Sequence, residues 1–188
     1  MKVLIVVLII LLALGVVIGG KYVSVRNELA TEKEEINLAW ADIDADLQRR
    51  ADLIPNLVET VKGYAKEETG IMDTIANSRS AMLNAKSPQE KIDAYNQMNG
   101  ALGRLLVVVE NYPNLKANEN FRSLQFQLEG TENRILQARR RYNEAIQKYN
   151  TTLSLFPNNI VASLSGFNRE NAYFKTDVNA RSAPKVTF

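Results

Sequence analysis

The sequence predicts an all-α protein: an N-terminal transmembrane helix, then an antiparallel bundle of about four helices, two of them long, with a mostly extended C-terminal tail. Three observations predict it. Residues Val3 to Ile18 are apolar apart from Gly15, apolar residues recur at helical spacing over most of the remaining chain, and Gly and Pro number only nine and five in 188 residues. That length fits one soluble domain, and no composition shift marks a second core. The expected division is a membrane anchor over 1–20, a helical bundle over 21–157 and a tail over 158–188 packed on the bundle.

The first element is the anchor. At 1.5 Å per residue, roughly 18 apolar residues reach about 27 Å, near the lower limit for crossing a bilayer. A cleaved secretory signal is the competing reading, with Met1-Lys2 as its basic start. Against cleavage, no A-x-A-like site precedes Lys21, the apolar run is long for a signal, and there is no Cys for a lipoprotein. The bilayer is therefore an expected partner through Val3–Gly20, in the cell membrane with a single pass. Lys21, Arg26 and Lys33 outnumber Lys2 across the span, which by the basic-residue rule leans the bulk of the chain to the cytoplasmic side. Reading Met1-Lys2 as a signal anchor gives the opposite, extracytoplasmic orientation.

From Lys21 no Pro or Gly interrupts the chain until Pro55 and Gly63, so the spanning helix is expected to continue into the first soluble one. Its amphipathic stretch runs from Ile36 to Glu68. Ile36, Trp40, Ile43, Leu47, Ile54, Leu57, Val58 and Val61 fall on one side, and Asp42, Arg49, Asp52, Asn56 and Glu59 on the other. Arg50 lies at the edge of the apolar stripe, and Pro55 lies outside it, so the helix is expected to kink at Pro55 rather than end. Thr69-Gly70 punctuates the chain before a second helix with a weaker stripe of Ile71, Ile75, Met82 and Leu83. Ser87-Pro88-Gln89-Glu90 has the pattern of a capping box with Pro at the first helical position, opening a third helix that runs to Tyr112. Gly100 and Gly103 lie within it, where either a close helix neighbour or a local bend accounts for them. Pro113 ends that helix, and Asn118 is the expected cap of a fourth, on which Leu124, Leu128, Ile135, Tyr142, Ile146, Tyr149 and Leu153 share a face bordered by Glu132 and Arg139. Pro157 stops it, and the tail is expected to strap across the bundle through Phe167, Tyr173 and Phe174.

The segments AWADIDADLQRRADLIPNLVETVKGYAKEE, YPNLKANENF and GTENRILQARRRYNEAIQKYNTTLSLFP, with the terminal APKVTF, resemble the signature segments of the LemA family in that order. The resemblance covers nearly the whole chain and implies a bacterial protein with an N-terminal membrane helix and a helical domain. Members in magnetotactic bacteria are linked to magnetosome membrane formation, and family genes often lie beside that of a membrane metalloprotease. What the resemblance implies is thus a fold and a membrane setting rather than a reaction.

Composition narrows the chemistry. The 23 basic and 21 acidic residues leave a net charge of +2, so nucleic acid is not an expected partner. There is neither Cys nor His, which removes thiolate chemistry, the commonest general base and the commonest transition-metal ligand. No G-x-S-x-G, Walker or dinucleotide fingerprint appears, so neither a cofactor nor a small-molecule substrate is evident, and the chain is not read as an enzyme. Asp42, Asp44, Asp46 and Asp52 invite a cation, but on a helix Asp44 points away from Asp42 and Asp46, and no Gly-turned loop gathers oxygens. A more economical role for Asp46 is pairing with Arg49 or Arg50 at helical spacing. The residues singled out are Asp46, Arg49, Arg50, Asp52, Glu132 and Arg139, as an interhelical polar network or an interaction surface in which Arg50 and Arg139 share Glu132 or Asp46. The expected function is a membrane-anchored scaffold that binds other membrane proteins or copies of itself. The alternatives are an adaptor or regulator of a membrane protease and an enzyme acting on lipid or cell wall.

Overall fold

The structure, a computed structural model, describes residues 2–65 and 67–175. Among them all regular structure is helical: α1 (Lys2–Lys62), α2 (Thr69–Asn84), α3 (Pro88–Val109), α4 (Pro113–Lys116), α5 (Glu119–Ser154) and α6 (Asn158–Ser165). The described chain forms two compact units, residues 2–39 with Asn143–Asn171, and Trp40–Tyr142 with 172–175; α1 and α5 contribute to both.

In the first unit α1 begins with side chains that are exposed throughout Val3–Gly20, a stretch long and apolar enough, by length and composition, to cross a membrane. Helical periodicity then takes over. Val25, Leu29 and Ile36 are buried, against Ile146 and Tyr149 of α5 and Val161 and Ala162 of α6, which make up the rest of this unit's core. Burying a Leu or Ile side chain contributes about 1.5–3 kcal/mol, so a few such residues suffice to hold a helix pair. Thr152 reaches Glu32 and Lys148 reaches Glu35, so the two helices are antiparallel here. Beyond α6 the chain turns at Gly166, whose φ of 76° is left-handed, and Tyr149, Asn150 and Lys33 take hold of the segment that follows. The Tyr149 hydroxyl donates to the Asn168 carbonyl at 2.9 Å. Asn150 both donates to the Glu170 carbonyl at 2.7 Å and accepts from its N–H at 2.9 Å.

The tail therefore differs from the extended segment expected from sequence. Residues 158–165 are helical because Val161 and Ala162 are buried on one face and Gly166 supplies a left-handed end; only the residues after Gly166 run extended. The expectation for 176–188 lies outside the described residues.

In the second unit the remainder of α1 passes Pro55 as a helix, with Leu57 and Val58 both buried beyond it. α2 and α3 form a hairpin against each other. Ser87 accepts from the Glu90 N–H at 3.2 Å, while the Glu90 carboxylate accepts from Lys86 N–H at 2.8 Å, so the cap is reciprocal but reaches back one residue further than a strict capping box. α3 stops at Val109, short of Tyr112. The N–H groups of Glu110, Asn111 and Tyr112 bond three residues back, a tightening that suits a chain about to meet Pro113, which opens the single turn α4. Within the LLVVV run Leu105 and Val109, one turn apart, are buried, and Leu106 and Val107 between them face outward. Asn118 caps α5 by accepting from Phe121 N–H at 3.0 Å. Trp40 and Tyr142 stack at 5.3 Å, and Asp42 meets Arg141 at 3.4 Å, so α1 and α5 are antiparallel in this unit as well.

The glycines of α3 separate the two explanations left open by sequence. A Cβ at Gly100 or Gly103 would meet nothing within 4 Å, so no neighbouring helix demands their absence of a side chain. Gly100→Ala and Gly103→Ala should each raise stability by about 0.5–1 kcal/mol, whereas Gly166→Ala, at positive φ, should lower it by about 1 kcal/mol. Thermal unfolding of the full chain in detergent, followed by circular dichroism, should show midpoints moving in these opposite directions.

Candidate functional site

Arg50 sits where the apolar stripe of α1 meets polar ground, and helical periodicity turns it inward beside Leu47, Ala51 and Ile54. It is only 5% exposed. A guanidinium so placed must be compensated, and three residues from other helices do so. One terminal nitrogen is ion-paired with Glu132 of α5, and the other donates to Asn99 Oδ1 of α3 at 2.6 Å. The ring of Tyr95, one turn before Asn99, lies 5.6 Å from the guanidinium carbon. The Tyr95 hydroxyl donates to the same Glu132 carboxylate, at 2.8 and 2.7 Å to its two oxygens. Burial first, and then the negative charge of Glu132, push the Tyr95 phenol well above its ordinary pKa, so it stays a protonated donor.

An aromatic relay extends the cluster. Tyr95 meets Phe174 edge to face at 5.5 Å, and Arg139 lies 4.4 Å above the Phe174 ring. On its other side the Arg50–Glu132 pair borders a cavity of about 200 Å³ whose walls include Leu57, Leu102, Leu105 and Leu128. Chemically, the cluster sets the buried Arg50 charge against the partly exposed Glu132 carboxylate and holds a tyrosine in its neutral state. It joins α1, α3 and α5 of this unit through one set of polar contacts.

Of the residues singled out from sequence, the structure brings together Arg50 and Glu132, and puts Arg139 at the other end of the aromatic relay. The remaining three stand apart. Asp46 is half-buried, and among the described residues no bond joins it to Arg49 or Arg50; Arg49 is exposed; Asp52 is exposed and accepts from Gln48 at 3.0 Å. Asp42 and Asp44 are engaged by Arg141 and Lys91, and among the described residues no three carboxylates converge on a common point. Sequence reasoning missed Asn99 and the polar role of Tyr95. Their spacing of four on α3, with Tyr95 in the apolar stripe, was the available signal.

Residues 39–188 match the pattern of the LemA family. The chain belongs to the LemA family. The LemA match contains every residue of the Arg50 cluster and starts beyond the apolar stretch. Among its relatives, magnetosome protein MamQ 2 of Paramagnetospirillum magneticum is 26% identical over 187 residues, covering 86% of this chain and 68% of the relative. Protein LemA of Metamycoplasma hominis is 27% identical over 142 residues, covering 75% and 65%, and magnetosome protein MamQ of Magnetospirillum gryphiswaldense is 23% identical over 169 residues, covering 76% and 62%. The chain thus spans about two thirds of the length of these LemA relatives.

A second buried charge lies in the other unit. Glu32 is 4% exposed; it accepts from the Thr152 hydroxyl at 3.0 Å, has the Lys148 ammonium 3.8 Å away, and leaves one carboxylate oxygen without a hydrogen bond. Burial raises its pKa above the ordinary 4.5, with the Thr152 bond and then Lys148 opposing.

The contrast between these two sites is measurable. Glu132→Ala leaves Arg50 buried without its counter-charge and should cost about 2–4 kcal/mol, short of the loss for a wholly buried pair because the Glu132 side chain is 36% exposed. Arg140→Ala, on an exposed position, should stay within about 0.5 kcal/mol in the same chemical denaturation series. For Glu32 the folded state holds its proton more tightly than the unfolded one. Its contribution is therefore favourable below the unfolded pKa and is lost as pH rises through the folded pKa. Glu32→Gln should unfold at the wild-type midpoint in acid and at a higher midpoint at neutral pH; a constant offset across that range would contradict this linkage.

Proposed function

We propose that this LemA-family chain is a single-pass membrane protein whose helical domain serves as a scaffold, binding other membrane-associated proteins or copies of itself. The observation that carries the reading is the continuity of α1: exposed apolar side chains over Val3–Gly20 pass without a break into the buried stripe of the first unit. A helix so built transmits its position in the membrane to the domain that it carries. The naming of several relatives as magnetosome proteins supports a role in a membrane-bounded setting. Lys21, Arg26 and Lys33 support a cytoplasmic location for the domain.

The test is chemical crosslinking in native membranes followed by affinity purification of the full chain. Alkaline washing should leave the protein in the membrane, and the crosslinked products should be several membrane proteins or multimers of the chain. Recovery of one protease in a fixed one-to-one complex would favour an adaptor instead. Release of a soluble form beginning near Lys21 would overturn the anchor.

A further inference from the structure

The unit that carries the apolar stretch has a second apolar surface. From Tyr149 to Asn168 the chain has no charged residue, twenty consecutive positions in a sequence that is 23% charged. Within that run Leu155, Phe156, Ile160 and Leu164 are 55%, 81%, 50% and 73% exposed, while Val161 and Ala162 point inward. Ile160 and Leu164, one turn apart, make the outer face of α6 apolar.

Its position follows from two contacts. The Ser165 hydroxyl, at the end of α6, lies 3.0 Å from the Tyr22 hydroxyl, and Tyr22 is only about 3 Å of helical rise past Gly20, where the apolar stretch of α1 ends. Thr152, near the end of α5, meets Glu32. The ten residues of α1 between Tyr22 and Glu32 rise about 15 Å, which is also about the rise of the end of α5 and α6 together. α6 therefore continues beside α1 toward the apolar stretch, with Leu164 at its near end. Charge returns only after Gly166 has reversed the chain, at Arg169 and Glu170, and Glu170 pairs with Lys33, well back along α1.

We propose that the C-terminal end of α6 forms a second membrane contact, Leu164 entering the interfacial layer of the bilayer that Val3–Gly20 crosses. The inference rests on the reading of that stretch as the anchor. A headgroup layer extends about 5–7 Å beyond the hydrocarbon core, so Leu164, level with Tyr22 and about 3 Å past Gly20, lies inside it; Ile160, one turn further at about 9 Å, lies just past its outer edge and Phe156 well outside it. Tyr22 and Lys21 are residue types that settle at this boundary. Lipid is the favoured occupant at Leu164 because that end of the patch stands beside the end of the span, while Arg169, bonded to Ser154 at 3.4 Å, borders the opposite end beside Leu155.

The chain has no Cys, so single cysteines can be introduced without background. Leu164→Cys, Ile160→Cys and Phe156→Cys are labelled with an environment-sensitive fluorophore in the full chain. Ile10→Cys marks the span, and Leu38→Cys marks an exposed site on α1 sixteen residues past Tyr22, about 24 Å away. The proteins are reconstituted in phosphatidylethanolamine–phosphatidylglycerol vesicles containing nitroxide-labelled lipid. Quenching should be strongest at position 10, several-fold above Leu38 at Leu164, and should decline through Ile160 to Phe156. Quenching at Ile10 with Leu164 and Ile160 no different from Leu38 would overturn the second contact and leave the anchor standing. No quenching at Ile10 would overturn both. Shielding of Leu164 and Ile160 in native membranes but not in vesicles would assign the patch to a protein partner, overturning the lipid contact.

Discussion

Arg50 is the constraint on which the second unit depends. A guanidinium cannot shed its charge in a protein, so a chain that turns one inward must bring acceptors to it. Here the acceptors come from two other helices, and each has a fixed direction: Glu132 is reached by one nitrogen, Asn99 by the other, and Tyr95 lies against the face while bonding the same Glu132. Apolar packing alone tolerates a helix sliding by a turn, because one Leu replaces another at modest cost. The Arg50 arrangement does not, since a shift of one turn would leave both Arg50 and Tyr95 facing hydrocarbon. Removing one member of such a cluster is costly because it leaves a buried charge unpaired, although the intact cluster contributes little net stability.

How much of this was legible follows from what periodicity encodes. It places a residue on a face of its own helix, and so the buried stripe of α1, its passage through Pro55, the Asn118 cap and the marginal position of Arg50 could all be read. It says nothing of which other helix stands opposite. Asp46, at the right spacing on the same helix, and Glu132, eighty-two residues away, were therefore equivalent candidates until the packing of α1 against α5 chose Glu132. Tyr95 and Asn99 belong to the same category. Their spacing of four brings them together on α3, but which neighbouring helix they serve is not marked in the local sequence.

The tail shows a different limit. Eight residues, with no charge and two Asn at the start, have weak helix preference on their own, and short helices are marginal without tertiary support. α6 forms because Val161 and Ala162 have a surface on which to be buried and Gly166 ends it cleanly. The segment after it is held by a different device. Asn150 offers its amide to both the N–H and the carbonyl of Glu170, pairing with the backbone much as a neighbouring strand would. One buried Asn on α5 thus lets an extended segment lie against a helix without leaving its backbone groups unsatisfied.

Glu132 and Glu32 differ in how their surroundings treat the charge. Glu132 keeps about a third of its side chain in contact with solvent and accepts from both Arg50 and Tyr95, so its charge is supported on every side that is not open to water. Glu32 is nearly enclosed and has one hydroxyl and a distant ammonium for support, so its charge is opposed by its surroundings. Glu32 also lies on the same unbroken helix as the apolar stretch, between Leu29 and Ile36 of the buried stripe. A rotation of α1 about its axis within this unit would expose Glu32 and relieve it, while withdrawing Leu29 and Ile36 from α5 and parting Tyr22 from Ser165. Burial of Leu29 and Ile36 therefore comes with the cost of an incompletely satisfied carboxylate on the same face of α1. No Gly or Pro lies between Gly20 and Glu32 to absorb a twist, so Glu32 stands on the same unbroken helix as the apolar stretch.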